Sequence, residues 1–361
     1  MRALTRPDLA ALPAYVPGRS TPGAIKLSSN EVPYGPLPGV VEAIAEAASH
    51  ANRYPDMGVL ALRGALASRL DVDPDRVVTG CGSVALAEHL TRAACLPGDE
   101  VVYSWRSFEA YPIICSTTGA RSARVPNTPE HGHDLPAMAA AIGPQTRLVL
   151  VCTPNNPTGT ALLRPEIDAF LDRVPSDVLV AFDEAYREFV TDPGVPDCLT
   201  AYGERPNVAV LRTFSKAWGL AGLRVGYLVA APEVAAAVQK VLTPFSTSAP
   251  AQAAALAALD AEDEMTTRVA RVVAERDRML VAVQKVLPDV PASQANFVWL
   301  PLGERASEFG AVCERSGVIV RPFAGDGVRV TIGTPGENDA FLAVLSDWSA
   351  GVDPQPARSA S

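Results

Sequence analysis

Lys216 stands in the stretch Leu211-Arg212-Thr213-Phe214-Ser215-Lys216-Ala217-Trp218-Gly219-Leu220-Ala221-Gly222-Leu223-Arg224, where an apolar run gives way to a hydroxyl, a lysine and then an arginine. This set suits an aldehyde that carries a phosphate. The lysine amine can close an imine with the carbonyl, and Ser215 and Arg224 are spaced to hold a dianion beside it. A single lysine after a strand is by itself an ordinary surface residue, so the rest of the chain has to supply the remaining groups.

Such groups need a scaffold that gathers them. Between about residue 75 and residue 230, short β-branched runs alternate with Ala/Leu-rich helical stretches, the pattern of a doubly wound α/β sheet. The spacing predicts strands at Arg76–Thr79, Glu100–Tyr103, Leu148–Cys152, Val178–Phe182, Val208–Arg212 and Val225–Val229. Residues 251–287 read as helical. Phe297–Leu300, Val318–Val320 and Val328–Ile332 read as strands of a smaller α+β unit that closes over the first. The expected division is an N-terminal arm (1–30), a large domain (31–245) with a mostly parallel sheet flanked by helices, a small domain (246–350) and a disordered tail (351–361).

Ligands of open α/β sheets sit outside the carboxyl ends of the strands, and five predicted strands end in groups that a pyridoxal phosphate site needs. After the first comes Gly80-Cys81-Gly82-Ser83, opening a helix whose free amides can cradle a phosphate. After the second come Trp105 and Phe108, flat faces able to stack on a pyridine ring. After the third comes Thr153-Pro154-Asn155-Asn156-Pro157-Thr158-Gly159, where Asn156 can donate its amide to a ring hydroxyl oxygen. The fourth ends in Asp183-Glu184-Ala185-Tyr186, and Ser215 and Lys216 follow the fifth.

The chemistry accounts for each residue type. A carboxylate at Asp183 keeps a ring nitrogen protonated, and that charge lets the ring absorb the electrons released when a substrate Cα–H bond breaks. Lys216, displaced by the incoming amine, lies beside Cα and can carry its proton. An ordinary lysine titrates at about 10.4, so partial desolvation and cationic neighbours such as Arg224 have to lower it. Arg329, in Gly327-Val328-Arg329-Val330-Thr331-Ile332-Gly333, can grip an α-carboxylate in a bidentate fork, and Arg321 is a second candidate. Either arginine reads equally well as a surface ion-pair residue on local sequence.

Composition narrows the classes. The chain has 361 residues, 48% hydrophobic and 20% charged, with a net charge of −9, and no Lys/Arg cluster that would suit nucleic acid or an anionic membrane. No apolar run reaches the roughly 20 residues of a membrane span, and the start lacks the apolar core of a signal peptide, so a cytoplasmic protein is expected. The six cysteines are scattered without a Cys-x-x-Cys pair, which fits reduced thiols and gives no zinc ligand set. His131 and His133 fall in a polar Pro/Gly stretch and read as an exposed loop; no metal is expected.

Leu27-Ser28-Ser29-Asn30-Glu31, Arg53-Tyr54-Pro55-Asp56, the Pro-Asn-Asn-Pro-Thr-Gly turn, Asp183-Glu184-Ala185-Tyr186 and Phe214-Ser215-Lys216 together resemble the histidinol-phosphate aminotransferase group of fold-type I PLP-dependent enzymes. The likeness runs from about Asn30 to Phe341. It implies that Lys216 carries the cofactor, that Asp183 faces the ring nitrogen, and that Asn156 and Tyr186 face the ring hydroxyl oxygen. Gly82, Ser83, Val84, Ser215 and Arg224 are implied to hold the phosphate, with Phe108 stacked on the ring. Arg329, with Arg321, Asn30 and Tyr15, is implied for the substrate. The family's members are homodimers in which the tyrosine of the Arg-Tyr-Pro-Asp segment, here Tyr54, reaches the phosphate of the other subunit.

Histidinol-phosphate enzymes carry acidic residues straight after the Gly-Ser of the cradle, whereas this chain has Gly82-Ser83-Val84-Ala85-Leu86. The segments Gly80–Leu86, Trp105–Tyr111, Ser293–Leu302 and Val320–Gly333 look like the aromatic amino acid (phenylalanine) aminotransferase branch. The expectation is amino transfer between Phe, Tyr or Trp and a 2-oxo acid, with Phe108 and Phe323 lining the pocket and histidinol phosphate as the alternative donor.

Other classes compete. Gly80-Cys81-Gly82-Ser83-Val84-Ala85 satisfies the Gly-x-Gly-x-x-Ala pattern of a nicotinamide-dependent dehydrogenase. A dinucleotide site also needs an acidic residue at the end of the next strand, and that strand ends in Ser104-Trp105. A non-catalytic PLP-binding sensor would need an attached DNA-binding segment, and none is seen. A lyase or decarboxylase on the same scaffold stays open, because the bond that breaks is set by substrate orientation.

Overall fold

The computed structural model describes residues 5–6 and 22–352. Its strands are β1 (Ile25–Lys26), β2 (Val77–Gly80), β3 (Glu100–Trp105), β4 (Arg121–Pro126), β5 (Thr146–Cys152), β6 (Leu179–Asp183), β7 (Val208–Thr213), β8 (Gly226–Ala230), β9 (Phe297–Leu300), β10 (Val318–Ile319), β11 (Arg321–Phe323) and β12 (Gly327–Thr331). A seven-stranded sheet runs in the order β2-β8-β7-β6-β5-β3-β4, and β8 is antiparallel to both its neighbours. The predicted strands stand within a few residues of those observed.

β6 and β7 are apolar nearly throughout because both faces of the sheet are covered. Alternate residues feed opposite sides: Val149, Val180 and Val210 enter one core cluster, while Leu150, Ala181 and Leu211 enter the other. The first cluster continues into the small unit through Phe297, Val298 and Val330. β4 is the strand of this sheet that the apolar pattern misses. It lies at the sheet edge, most of its Arg-Ser-Ala-Arg-Val-Pro sequence is exposed, and its charges and terminal proline suit an edge.

A second sheet, β11-β12-β9, is antiparallel, with Arg321 paired opposite Arg329 and Arg329 opposite Trp299. The predicted strand Val318–Val320 is shorter than expected and lies outside that sheet: β10 pairs in parallel with β1. The helical stretch 251–287 is two helices, Ala249–Asp260 and Glu262–Gln284, meeting at Ala261. The expected disordered tail, apart from residues 351–352, and most of the expected arm lie outside the described residues.

β3 and β5 are adjacent, yet the chain leaves β3 for β4 on one side and returns to β5 on the other. This reversal opens a crevice at the carboxyl ends of these strands, and the candidate groups stand around it.

Candidate active site

A cavity of about 230 Å³ opens there, lined by Ser28, Ser29, Asn30, Ser83, Val84, Phe108, Cys152, Asn156, Asp183, Ala185, Tyr186, Thr213, Ser215, Lys216, Arg224, Arg321 and Arg329. Most residues singled out in the sequence therefore line one cavity. Gly82 stands at its edge, where a Cβ would lie 2.6 Å from the Arg224 guanidinium, and its φ of 79° favours glycine.

β6 delivers Asp183 as its last residue, beside Cys152 of β5 and Leu211 of β7. The Tyr111 hydroxyl donates to its Oδ2 at 3.0 Å, and Oδ1 is buried with no hydrogen-bond partner. Burial pushes this carboxyl up to about 6, against the Tyr111 hydrogen bond, the nearby Ala185 amide and, more weakly, the Lys216 charge, which favour the carboxylate. An acceptor held this way fits a protonated ring nitrogen.

Lys216 Nζ donates to the Ser29 carbonyl at 3.2 Å and lies 5.9 Å from the centre of the Tyr186 ring. Burial, then the charge of Arg329, with Arg224 adding to it, brings the amine down to about 7 against the pull of Glu31 and Asp183. An amine that is about half neutral near pH 7, and so able to react, follows. Tyr186 accepts from Asn30 Nδ2 at 2.9 Å, and burial pushes its phenol upward.

The helix Gly82–Ala94 starts at Cys81 with no side-chain cap, so the first-turn amides of Ser83 and Val84 face the cavity end, where the helix dipole favours an anion. Ser215 and Arg224 stand opposite, joined at 3.3 Å, and Thr213 donates to Ser215 Oγ at 2.9 Å. At Gly226 a Cβ would come within 2.7 Å of the Ser83 nitrogen, which shows how closely β8 approaches the helix start. Amides, hydroxyls and one guanidinium around a glycine-walled recess fit a phosphate.

On the far wall, Arg329 donates to Asn156 Oδ1 at 2.6 Å and to the Ser28 carbonyl at 2.7 Å. Arg321 donates to Glu109 Oε2 at 2.9 Å.

Other expected residues stand elsewhere. Trp105 is outside the cavity lining because Arg106 and Arg124 cover its ring at 4.5 Å and 4.7 Å. Phe323 is buried behind the arginines, with Arg321 5.5 Å and Arg329 5.8 Å from its ring centre. Tyr54 is 83% exposed and stacks on Phe245, away from the cavity of its own chain. Tyr15 lies outside the described residues. His133, expected in an exposed loop, is buried with Nε2 2.6 Å from the Cys152 carbonyl oxygen, and burial lowers its ring to about 4.

Sequence inspection missed Tyr111, Glu109, Thr213 and Ser28. The one available signal was the Phe108-Glu109-Ala110-Tyr111 run directly after a strand end.

Comparison with known proteins matches residues 22–345 to the family model for aminotransferases of class I and II. An aromatic amino acid aminotransferase of Streptomyces avermitilis is 56% identical over 343 residues, 94% of this chain and 96% of that one. Another, from Rhodococcus jostii, is 54% identical over 350 residues, 97% of each. Among solved structures, a histidinol-phosphate aminotransferase of Sinorhizobium meliloti in complex with pyridoxal-5'-phosphate superposes with a TM-score of 0.86 at 28% identity, covering 97% of this chain and 99% of that one. With a family match spanning most of its length and a strand-end site of the required composition, the chain belongs to the class I and II aminotransferases.

Proposed function

We propose that this chain is an aminotransferase that uses pyridoxal 5'-phosphate to move an amino group between an aromatic L-amino acid and a 2-oxo acid. One observation carries the reading: Lys216, the partnerless Asp183 oxygen and Arg329 open into the same cavity. Relatives named aromatic amino acid aminotransferase, at 54–56% identity over nearly the whole chain, support the substrate class.

Residues 31–245 form the cofactor-holding unit, and 246–350 bring the arginines of β11 and β12 to it. Asp183 holds the ring nitrogen, Asn156 and Tyr186 the ring hydroxyl oxygen, and Phe108 one ring face. The Gly82-Ser83-Val84 turn, Ser215 and Arg224 hold the phosphate. Bound there, the cofactor would supply an aldehyde for the amine and a cationic ring as the electron sink for Cα–H cleavage. Lys216 Nζ takes the proton from the substrate Cα, and its lowered basicity leaves it free to do so near neutral pH. Arg329 pairs with the α-carboxylate and fixes the Cα–H bond for that transfer, with Asn30 holding Tyr186 in place.

The enzyme works as a homodimer. Tyr54, Met57 and Leu60 are strongly exposed in the single chain, and a second copy covers them while Tyr54 reaches the partner's phosphate. No helix among the described residues is long and apolar enough to cross a membrane. The described cysteines are free thiols, which supports a cytoplasmic setting.

Absorption spectra of the purified protein test the reading. A yellow protein bleached by phenylalanine supports it; a colourless protein that takes up no added cofactor excludes it. Histidinol phosphate is the second donor, favoured by the structural match to a histidinol-phosphate enzyme. Turnover of histidinol phosphate far above that of phenylalanine would replace the aromatic assignment.

A further inference from the structure

Tyr186 lines the cavity, and its phenol oxygen accepts from Asn30 Nδ2 at 2.9 Å. A hydroxyl that accepts on one side turns its own proton another way, and here the cavity lies on that other side. The direction of the proton therefore depends on which end of the Asn30 amide faces the phenol. With the amide reversed, its oxygen would take the phenol proton for itself.

Thr331 decides the orientation. Its Oγ1 accepts from the Asn30 backbone N–H at 2.9 Å and donates to Asn30 Oδ1 at 3.0 Å. Reversing the amide would bring Nδ2 against that hydroxyl and leave the Thr331 proton without its acceptor, at a residue only 3% exposed. A buried donor without an acceptor is costly, so the observed orientation is the stable one. Asn30 is pinned at its backbone as well: its φ is 55°, and its carbonyl accepts from Asn296 Nδ2 at 3.1 Å. The Tyr186 ring packs edge-on against Phe297 at 5.1 Å, and Phe297 is the cross-strand partner of Thr331. One facing pair on β9 and β12 thus holds both the ring and its proton.

We propose that Thr331 is a positioning residue: acting through Asn30, it directs the Tyr186 hydroxyl proton into the cavity, toward the ring hydroxyl oxygen of a bound cofactor. This rests on the cofactor reading above and adds to it a residue that does not itself line the cavity. Burial pushes the Tyr186 phenol up, so the proton stays in place near neutral pH. A donor at the ring oxygen favours the anionic oxygen, and with it the form of the attached cofactor that has lost a proton. Without that donor, proton loss should move to higher pH.

The test is a spectrophotometric pH titration of the cofactor-loaded enzyme, whose absorption band changes as that proton leaves. Thr331→Val removes the hydroxyl at nearly constant volume, and the titration midpoint should rise by about half a pH unit or more. Tyr186→Phe should raise it by at least as much. Adding Thr331→Val to Tyr186→Phe should then move the midpoint by less than about 0.2, since no phenol proton is left to direct. Thr331→Ser keeps the hydroxyl and should titrate as the wild type does. Melting temperatures show whether each variant is folded, and if Thr331→Val is not, Thr331→Ala also lacks the hydroxyl and is read in the same way. An unchanged midpoint in Thr331→Val, or an equal shift with and without the phenol, would overturn the proposal and leave the cofactor reading standing. A wild type that shows no such band would remove both.

Discussion

Tyr111 donates to one oxygen of Asp183 at 3.0 Å and leaves the other buried without a partner. One carboxylate oxygen is thus fixed by the protein while the second, on a residue that lines the cavity, is left for the ring nitrogen of the proposed cofactor. Tyr111→Phe removes a bond to a charged group worth about 1.5–3 kcal/mol, so cofactor affinity should fall about tenfold to a hundredfold. The same change should push the Asp183 carboxyl above its present value of about 6, because the hydrogen bond favours the carboxylate. Equilibrium dialysis of the cofactor checks it; an unchanged dissociation constant would remove Tyr111 from this role.

The pH dependence of cofactor capture follows from Lys216. Its amine is lowered from the ordinary lysine range to about 7, so the neutral form predominates above that pH and the protonated form below it. Capture of the aldehyde by cofactor-free protein should rise as pH increases through about 7 and then level off. Stopped-flow absorbance from pH 5 to 9 measures this, and a rate still climbing steeply at pH 9 would contradict the lowered amine.

Gly82 should tolerate no side chain. Its φ of 79° costs an L-residue about 1–2 kcal/mol, and a Cβ there would press on Arg224 at 2.6 Å. Gly82→Ala is expected to lower the melting temperature and to weaken cofactor binding more than tenfold or so, since displacing Arg224 removes a phosphate ligand. Thermal scans with and without cofactor separate the two effects; a cofactor-dependent rise in melting temperature equal to that of the wild type would contradict the cradle.

Beneath the site, Arg212 bonds to Glu184 at 2.7 Å and to Asp197 at 2.8 Å, and Glu184 also accepts from the Cys198 amide at 2.8 Å. Arg212 and Glu184 are both buried, so removing one partner strands a charge. Arg212→Met should destabilise the fold by about 3–5 kcal/mol in denaturant unfolding. A loss below about 1 kcal/mol would mean that the network relaxes around the gap.

The legible part of this fold was the part with a local cause. Strands buried on both faces announce themselves as β-branched runs, and the sheet places whatever follows them at one edge. That is why Ser83, Asn156, Asp183 and Lys216 could be named from primary order. Partners brought from a distance left no local mark. Tyr111 lies inside a helix and meets Asp183 across 72 positions, and Arg321 meets Glu109 across 212. β4 escaped notice because an edge strand keeps a polar sequence, and His133 because a Pro/Gly-rich neighbourhood says nothing about which of its two histidines turns inward. Trp105 follows a strand end as Phe108 does, and only the two arginines against its ring decide that it serves packing.

Lys216 is the residue to which the cofactor is proposed to attach. Borohydride reduction of the cofactor-loaded protein, followed by proteolysis and mass spectrometry, reads the attachment directly. The phosphopyridoxyl mass is expected on the peptide that contains Lys216, and none on the Lys216→Ala variant even though that variant still binds the cofactor noncovalently. Label on another lysine such as Lys240, or on no lysine at all, would contradict it.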